Sequence, residues 1–259
     1  MSNPSIDLNI EGNVAVLTMN NPPANTWTQD TLTALKETVT ELNANKNVYA
    51  LVITGQGEKF FSAGADLNVF ASGDKGVAAT MSKVFGDAFE ALTNFRGVSI
   101  AAINGYAMGG GLEVALACDI RIAEEQAQMA LPEAKVGLLP CAGGTQNLAW
   151  LVGEGWAKRM ILCGERLKAD KAREIGLVEE VVGAGESLAA AMKLANQVGE
   201  QSPVAVSACK ELIQKGRTQP MAHALPLERE LFVQLFDTQD QKEGVNAFLE
   251  KRKANWVNG

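Results

Sequence analysis

The alternation of short apolar runs and longer helical patterns in the first half of the chain constrains the fold most. Apolar runs predict buried strands at 49–53, 99–103 and 119–123, and helical patterns at 77–94 and 111–117 separate them. Strands that alternate with helices in this way pair in parallel through right-handed crossovers. The sequence therefore predicts an α/β core.

The two ends of the chain have different signatures. Residues 5–10 and 14–19 predict two strands joined by a hairpin at Gly12, and apolar spacings of three and four predict a helix over 28–43. From residue 143 onward one helical pattern follows another, with a short strand at 178–182; the predicted helices are 143–151, 155–163, 169–175, 187–199, 203–215, 221–236 and 239–253.

These patterns divide the chain into an α/β core with the active site at residues 1–195 and a helical part at 196–259. Seven helical segments after residue 143 carry more apolar faces than one core of this size needs. We therefore expect the helical part to bury apolar faces against neighbouring subunits.

The charge balance excludes several classes of function. The 259 residues include 23 Lys and Arg against 30 Asp and Glu, which gives a net charge of −7. Because nucleic-acid binding depends on clustered basic residues, no nucleic-acid partner is expected. No apolar stretch approaches the roughly 20 residues of a membrane helix, and no secretory signal is recognisable. We expect a cytoplasmic protein that makes no membrane contact.

Cysteine and histidine usage argues against a metal centre. The four cysteines lie far apart in sequence, without the C-x-x-C spacing of zinc or redox sites. The only histidine, His223, lies in a helical stretch and is expected to be structural. A P-loop and a G-x-S-x-G elbow are also absent from the sequence. Acid–base chemistry then falls to carboxylates or lysines, with no metal and no cofactor.

Two small-residue segments are candidates for binding a negatively charged oxygen through main-chain amides. The first, Gly109 to Gly111, follows a predicted strand and loop and opens a helix, whose first N–H groups favour negative charge. The second, 62–66, is expected in a loop where small side chains leave the amide of Ala65 accessible. Each segment also fits a simpler interpretation, a tight turn or an ordinary loop.

Two glutamates lie in apolar surroundings. Glu113 follows the three glycines in an otherwise apolar helix, and Glu133 follows Leu131 and Pro132. Each is either a charge favoured by its local backbone or a half-buried acid with a raised pKa. We expect one short strand to join their segments, so that the two carboxylates face each other across a cleft as an acid–base pair.

Six segments together resemble the enoyl-CoA hydratase/isomerase (crotonase) family, in the order that the family has them and over nearly the whole chain. They are FFSAGADL (60–67), AAINGYAMGGGLE (101–113), CD (118–119), LPE (131–133), GGTQ (143–146) and DQKEGVNAFLEKR (240–252). The resemblance implies a spiral of ββα units with a helical C-terminal part, assembly into homotrimers or homohexamers, and acyl-CoA thioester substrates.

The resemblance also assigns site residues. It implies an oxyanion hole made by the amides of Ala65 and Gly110, and a pair of catalytic glutamates at Glu113 and Glu133 that is typical of the hydratases. Substrate and coenzyme A contacts are carried over to Ala63, Ala65, Asp66, Leu67, Asn68, Gly110, Phe248 and Lys251.

Three positions depart from the family pattern. Asn68 stands where related hydratases often have Lys, Cys141 where Gly is usual, and Asn147 where Arg is common. The basic cluster that begins at Lys251 is either the solvated last turn of a helix or a contact with coenzyme A phosphates, within one subunit or across a subunit boundary, with Phe248 near the adenine.

The sequence thus predicts a 2-trans-enoyl-CoA hydratase, a hydro-lyase of fatty-acid β-oxidation or related acyl-CoA catabolism, with coenzyme A as part of the substrate. The alternative enzyme is a Δ3-Δ2-enoyl-CoA isomerase or another crotonase-type enzyme, since isomerisation needs only one carboxylate. A member of a different class would bind acyl-CoA or RNA without catalysis, and the charge of −7 argues against RNA.

Overall fold

The computed structural model describes residues 5–259 and shows an α/β core followed by helices. Ten strands are β1 (Ile6–Glu11), β2 (Val14–Met19), β3 (Ala50–Gly55), β4 (Phe60–Ser62), β5 (Val98–Ile103), β6 (Tyr106–Met108), β7 (Ile120–Glu124), β8 (Gln128–Ala130), β9 (Leu167–Lys168) and β10 (Glu180–Val182). Nine α-helices are α1 (Gln29–Ala44), α2 (Lys75–Thr93), α3 (Gly110–Ala117), α4 (Gly144–Leu162), α5 (Ala169–Glu174), α6 (Ser187–Val198), α7 (Pro203–Lys215), α8 (Met221–Gln234) and α9 (Gln239–Leu249).

The strands form two sheets. The larger has the order β1-β2-β3-β5-β7-β10, in which only β1 and β2 pair antiparallel. The smaller has the order β4-β6-β8-β9, with β4, β6 and β8 parallel. Three successive turns of the chain, β3-β4-α2, β5-β6-α3 and β7-β8-α4, each place one strand in the large sheet, the next in the small sheet, and then a helix. This arrangement confirms the predicted spiral of ββα units.

The core lies on both faces of the large sheet. Its central strand β3 is buried along its whole length, as expected for a parallel strand covered on both sides. One face packs against α1, α2 and α3, and the other against α6 through Ala191 and Ala195. Because α6 runs to Val198 and covers this second face, the helix crosses the boundary predicted at residue 195.

Local sequence explains the boundaries of the first two helices. Thr28 caps α1 in a reciprocal capping box with Thr31, and the Asp74 side chain accepts from the Gly76 and Val77 amides at the start of α2. The apolar spacing that predicted α1 places Leu32, Leu35, Val39 and Leu42 against the core.

The structure corrects several predictions. Residues 106–108, expected in a loop, form β6, and the predicted helices 143–151 and 155–163 are one element, α4, broken at Gly153 (φ 76°). The last helix ends at Leu249 because the chain turns away, with Lys251 at φ 56°. The basic cluster is therefore not the last turn of a helix. None of the described helices is long and apolar enough to cross a membrane.

Candidate active site

The carboxyl ends of β4, β6 and β8 open onto a cleft of about 720 Å³, where turns of the spiral meet. Its wall is mostly small or apolar, and two carboxylates, Glu113 and Glu133, are part of it. The residues around it are Ala63, Gly64, Ala65, Leu67, Phe70, Ala78, Ser82, Phe85, Met108, Gly109, Gly110, Glu113, Pro132, Glu133, Lys135, Val136, Gly137, Leu138, Leu139, Cys141 and Arg166.

The glycine turn between β6 and α3 presents a main-chain amide to this cleft. Gly109 caps α3 at φ 53°, a left-handed conformation that favours glycine, and its N–H donates to the Ala130 carbonyl at the end of β8 (2.9 Å). Gly110 is the first residue of α3, so its N–H has no acceptor within the helix. The turn is thus anchored to the small sheet while the Gly110 amide remains available for a ligand.

The second amide belongs to Ala65, which forms an isolated parallel bridge with Trp27. The Trp27 N–H donates to the Gly64 carbonyl (2.8 Å), and the Trp27 carbonyl accepts from the Asp66 N–H (3.0 Å). Because these two bonds bracket Ala65, its own N–H points away from Trp27. A methyl group built on Gly64 would lie 2.5 Å from the Met108 carbonyl oxygen and 3.1 Å from the Gly110 nitrogen, so the two amide-bearing segments are in close contact.

Glu113 lies in the first turn of α3 and is 3% exposed. Its Oε1 accepts from the Ala142 N–H (2.8 Å) and from the Gly144 N–H (2.9 Å) at the start of α4. Burial raises the pKa of the Glu113 carboxyl, and these main-chain donors oppose that rise because they favour the charged form. These two hydrogen bonds hold Oε1 in place and leave Oε2 free to accept a proton.

Glu133 opens a short 3₁₀-helix, Glu133–Val136, beside the glycine turn. A methyl group built on Gly109 would lie 3.0 Å from Glu133 Oε1. Neither carboxyl oxygen has a hydrogen-bond partner among residues 5–259, although both atoms are buried. Burial, with a smaller contribution from the nearby charge of Glu113, raises the pKa of Glu133 to about 7. Near neutral pH a large share of Glu133 therefore carries a proton.

Both glutamates line the same cleft, and two strands, β7 and β8, connect their segments rather than the one expected. Their environments differ: Glu113 accepts two main-chain hydrogen bonds and Glu133 accepts none from the described chain. Such a difference suits one carboxylate to accept protons and the other to donate them. With two amides nearby, the cleft has the elements needed to stabilise an oxyanion and to move protons beside it.

The remaining predicted site residues divide into two groups. Ala63 and Leu67 line the cleft with the residues already described. Asp66 and Asn68 do not line it; the Asp66 side chain caps the 3₁₀-helix Leu67–Phe70 and accepts from Asn68 Nδ2 (2.8 Å). Phe248 and Lys251 also lie outside the wall of this cleft in the single chain, and the Phe248 side chain is 84% exposed.

Cys141 lines the same cleft as the two glutamates. Burial raises the pKa of its thiol to about 11, and the charges of Glu113 and Glu133 contribute to that rise. The thiol is therefore neutral at physiological pH and occupies space at the wall of the cleft. Asn147, the third departure, lines a different cavity.

The sequence analysis did not identify several side chains that line the cleft but lie outside the sequence motifs. Phe70, Ser82 and Phe85 come from the segment that leads into and through α2, and Arg166 precedes β9. Apolar spacing predicted α2 as a helix with one core face, but spacing alone does not distinguish a residue beside a cleft from one in the core.

Cavity size does not by itself select this site. A second cavity of about 690 Å³ lies between α7 and the carboxyl end of α3. Its principal carboxylate, Asp119, is already paired with Lys210 (2.7 Å) and accepts from Ser99. The cleft with Glu113 and Glu133 differs because its acidic groups have no cationic partner in the part of the chain that the structure describes. Within residues 5–259, no cluster of His, Cys, Asp and Glu is placed to hold a metal ion.

Comparisons with known proteins identify the family of the chain. The family described as Enoyl-CoA hydratase/isomerase matches residues 9–259. The chain is 41% identical to the short-chain-enoyl-CoA hydratase of Clostridium acetobutylicum over 258 residues, covering 96% of each protein. Its structure is similar to that of Pseudomonas aeruginosa DspI (TM-score 0.97, 63% identity, 99% and 98% of the two chains). It is also similar to the enoyl-CoA hydratase of Bacillus anthracis (TM-score 0.95, 35% identity, 98% and 100%). The chain belongs to the enoyl-CoA hydratase/isomerase family.

Proposed function

We propose that this chain is a 2-trans-enoyl-CoA hydratase, a hydro-lyase that adds water across the C2=C3 bond to give 3-hydroxyacyl-CoA in fatty-acid β-oxidation or related acyl-CoA catabolism. The observation that carries this proposal is the buried pair Glu113 and Glu133 beside two free main-chain amides. The names of the relatives, short-chain-enoyl-CoA hydratase and crotonyl-CoA hydratase, support it.

In the proposed reaction, the N–H groups of Ala65 and Gly110 donate to the thioester carbonyl oxygen. This polarises the conjugated C2=C3 bond and stabilises the enolate that forms as water adds. Glu113 takes a proton from the water, whose oxygen bonds to C3, and the proton of Glu133 goes to C2. The substrate thus gains one water, and proton exchange with solvent restores both glutamates.

No metal or redox cofactor enters this scheme, because the two amides supply the polarisation that a Lewis acid would otherwise provide. The reaction is redox-neutral, and coenzyme A arrives as part of the substrate. The oxyanion donors are main-chain atoms, so their placement depends on the turns around Gly109 and Gly64 rather than on side-chain chemistry.

The coenzyme A part of the substrate is assigned to the segment 63–68, with Ala63 and Leu67 in the wall of the cleft. Asn68 is held by Asp66 and supplies no cation where relatives often have one. Phe248 and Lys251 are proposed to reach the coenzyme from a neighbouring subunit, which fits their exposure and their position outside the wall of the cleft in their own chain.

A homotrimer or homohexamer is part of the proposal, with residues 196–259 as the assembling part. Helices α7, α8 and α9 leave large apolar side chains exposed, and a single chain gives them no cover; they include Ile213, Phe232, Val233, Val245 and Phe248. Sedimentation at micromolar concentration tests this: a stable 27.5 kDa species would contradict it. We also propose a cytoplasmic location, since the four cysteines are unpaired, as in reducing compartments.

Parallel assays on the wild-type protein test the function. Crotonyl-CoA hydration is measured beside conversion of a 3-enoyl-CoA to its 2-enoyl isomer. Hydration should be the faster reaction, because it uses both carboxylates. Much faster isomerisation would favour a Δ3-Δ2-enoyl-CoA isomerase, and acyl-CoA binding without turnover would indicate a non-catalytic member. A gel shift with RNA at low salt should show no complex.

A further inference from the structure

Trp27 is in contact with both segments that carry the free amides of the cleft. Its side chain is 2% exposed, and its main chain forms the two bonds that bracket Ala65. Those bonds depend only on the backbone at residue 27. They fix the direction of the Ala65 N–H whatever side chain the residue carries.

The indole ring lies on the other segment, behind Gly110. A methyl group built on Gly110 would be 3.5 Å from Trp27 Cδ1 and 3.0 Å from Phe85 Cε1. Phe89 packs edge-to-face on both rings, with centroid distances of 5.7 Å to Trp27 and 5.7 Å to Phe85. We call Trp27, Phe85 and Phe89 the aromatic cluster; it supports Gly110 from the side of the core.

The indole ring acts through packing rather than through a hydrogen bond. Trp27 Nε1 is buried and has no acceptor among residues 5–259. A buried N–H without a partner does not favour folding, so the indole contributes through the surfaces it fills. Those surfaces include the one against which the first turn of α3 rests.

We propose that Trp27 is a positioning residue for the hydration reaction, whose main chain orients the Ala65 amide and whose indole holds Gly110, so that one residue sets the separation of the two oxyanion donors. The proposal rests on the proposed function, because it assigns both amides to the thioester oxygen. Donors of this kind must lie about 2.7–3.1 Å from the oxyanion, and small displacements lower the rate.

Two substitutions at Trp27 and one control test the proposal. Trp27→Leu removes the ring, and Trp27→Phe keeps a smaller ring without the N–H. The control is Phe95→Leu, which truncates another fully buried aromatic side chain of the same core, outside the aromatic cluster. For each protein we would measure kcat and KM for crotonyl-CoA, thermal unfolding, and the infrared carbonyl stretch of bound [1-¹³C]butyryl-CoA, which has no double bond to hydrate.

The wild-type protein should lower the carbonyl frequency of butyryl-CoA, as expected when two N–H groups donate to it. Trp27→Leu should show a smaller shift, a kcat lowered about 10- to 100-fold, and a KM within about threefold of the wild type. Trp27→Phe should have a carbonyl shift and a kcat between those of the wild type and Trp27→Leu. Phe95→Leu should lose stability yet keep the carbonyl shift and kcat, because its ring lies beside Gly97 and Lys210.

The result that would overturn the proposal is a folded Trp27→Leu protein with the wild-type carbonyl shift and kcat; if Trp27→Leu does not fold, the same result for Trp27→Phe overturns it. Equal losses of kcat in Trp27→Phe and Phe95→Leu would likewise overturn it, because they would show that Trp27 acts only through core packing.

Failure of the proposed function would give a different result. The wild type would shift the carbonyl frequency but not hydrate crotonyl-CoA, and the carbonyl shift in the Trp27 variants would still report on positioning. Hydration without any carbonyl shift would refute the positioning role while leaving the hydratase proposal in place.

Discussion

Replacing Glu133 by Gln should make the protein more stable at alkaline pH while it removes activity. Burial raises the pKa of Glu133 from 4.5 to about 7, so between these values the folded protein binds more protons than the unfolded chain. The stability that the neutral carboxyl provides is present below pH 4.5 and is lost as the pH rises through about 7. Above that pH, a charged carboxylate remains in the wall of the cleft without a donor from the described chain.

The size of the effect follows from the same values. The difference in pKa corresponds to at most about 3 kcal/mol, and because solvent reaches the cleft we expect about 1–2 kcal/mol. Gln is neutral at every pH, so Glu133→Gln should gain this amount at pH 8 and nothing at pH 4.5. For a chain of this length the gain corresponds to a Tm increase of about 2–8 °C.

Thermal unfolding at pH 4.5 and pH 8, at one protein concentration, measures this difference, and crotonyl-CoA hydration is assayed on the same samples. The control is Glu58→Gln, an exposed glutamate in the turn between β3 and β4, which should change neither Tm nor kcat. A Glu133→Gln protein that is less stable than wild type at pH 8, or equally stabilised at both pH values, would refute the assignment of a desolvated acid at this position.

Three further predictions follow from named contacts. The kcat/KM for crotonyl-CoA should fall as the pH rises above about 7, because Glu133 must carry a proton; a flat profile to pH 9 would exclude it as the acid. Gly110→Pro should lower kcat about 100- to 1000-fold, because proline has no N–H to donate to the oxyanion. The circular dichroism spectrum should be retained, since proline is tolerated at the first residue of a helix, although its ring must displace Phe85. Near-normal activity would place the oxyanion elsewhere. Arg121→Met should cost about 3 kcal/mol or more in urea unfolding, because the buried guanidinium binds Glu179 and four main-chain carbonyls; a loss below about 1 kcal/mol would contradict this.

The sequence predicted the large sheet better than the small one. Strands β2, β3, β5 and β7 are apolar runs of five or six residues, long enough for composition to identify them. Strands of the small sheet contain only two or three residues, and Tyr106–Met108 was expected to be a loop. In such short strands, pairing with neighbours that are distant in sequence decides the conformation, and local pattern carries little information about it.

In the candidate site too, the sequence predicted some residues and missed others. The three glycines, Glu113 and Glu133 could be singled out because their residue types are unusual in apolar surroundings. The structure brings Gly109, Gly110 and both glutamates to one cleft. The donors that hold Glu113, the amides of Ala142 and Gly144, come from about thirty residues further along the chain. No local pattern links them to Glu113, since the link depends on how α4 docks against α3. The aromatic support behind Gly110 was missed for the same reason.

The central claim is that Glu113 and Glu133 act together on one water, and kcat for crotonyl-CoA hydration tests it most directly. The wild type, Glu113→Gln, Glu133→Gln and the double variant would be compared at one pH. Each single variant should be at least about 100-fold slower than the wild type, with binding of butyryl-CoA little changed. The double variant should lose much less than the product of the single losses, because the pair acts as a unit. A Glu113→Gln protein that hydrates crotonyl-CoA at the wild-type rate would contradict the two-carboxylate mechanism.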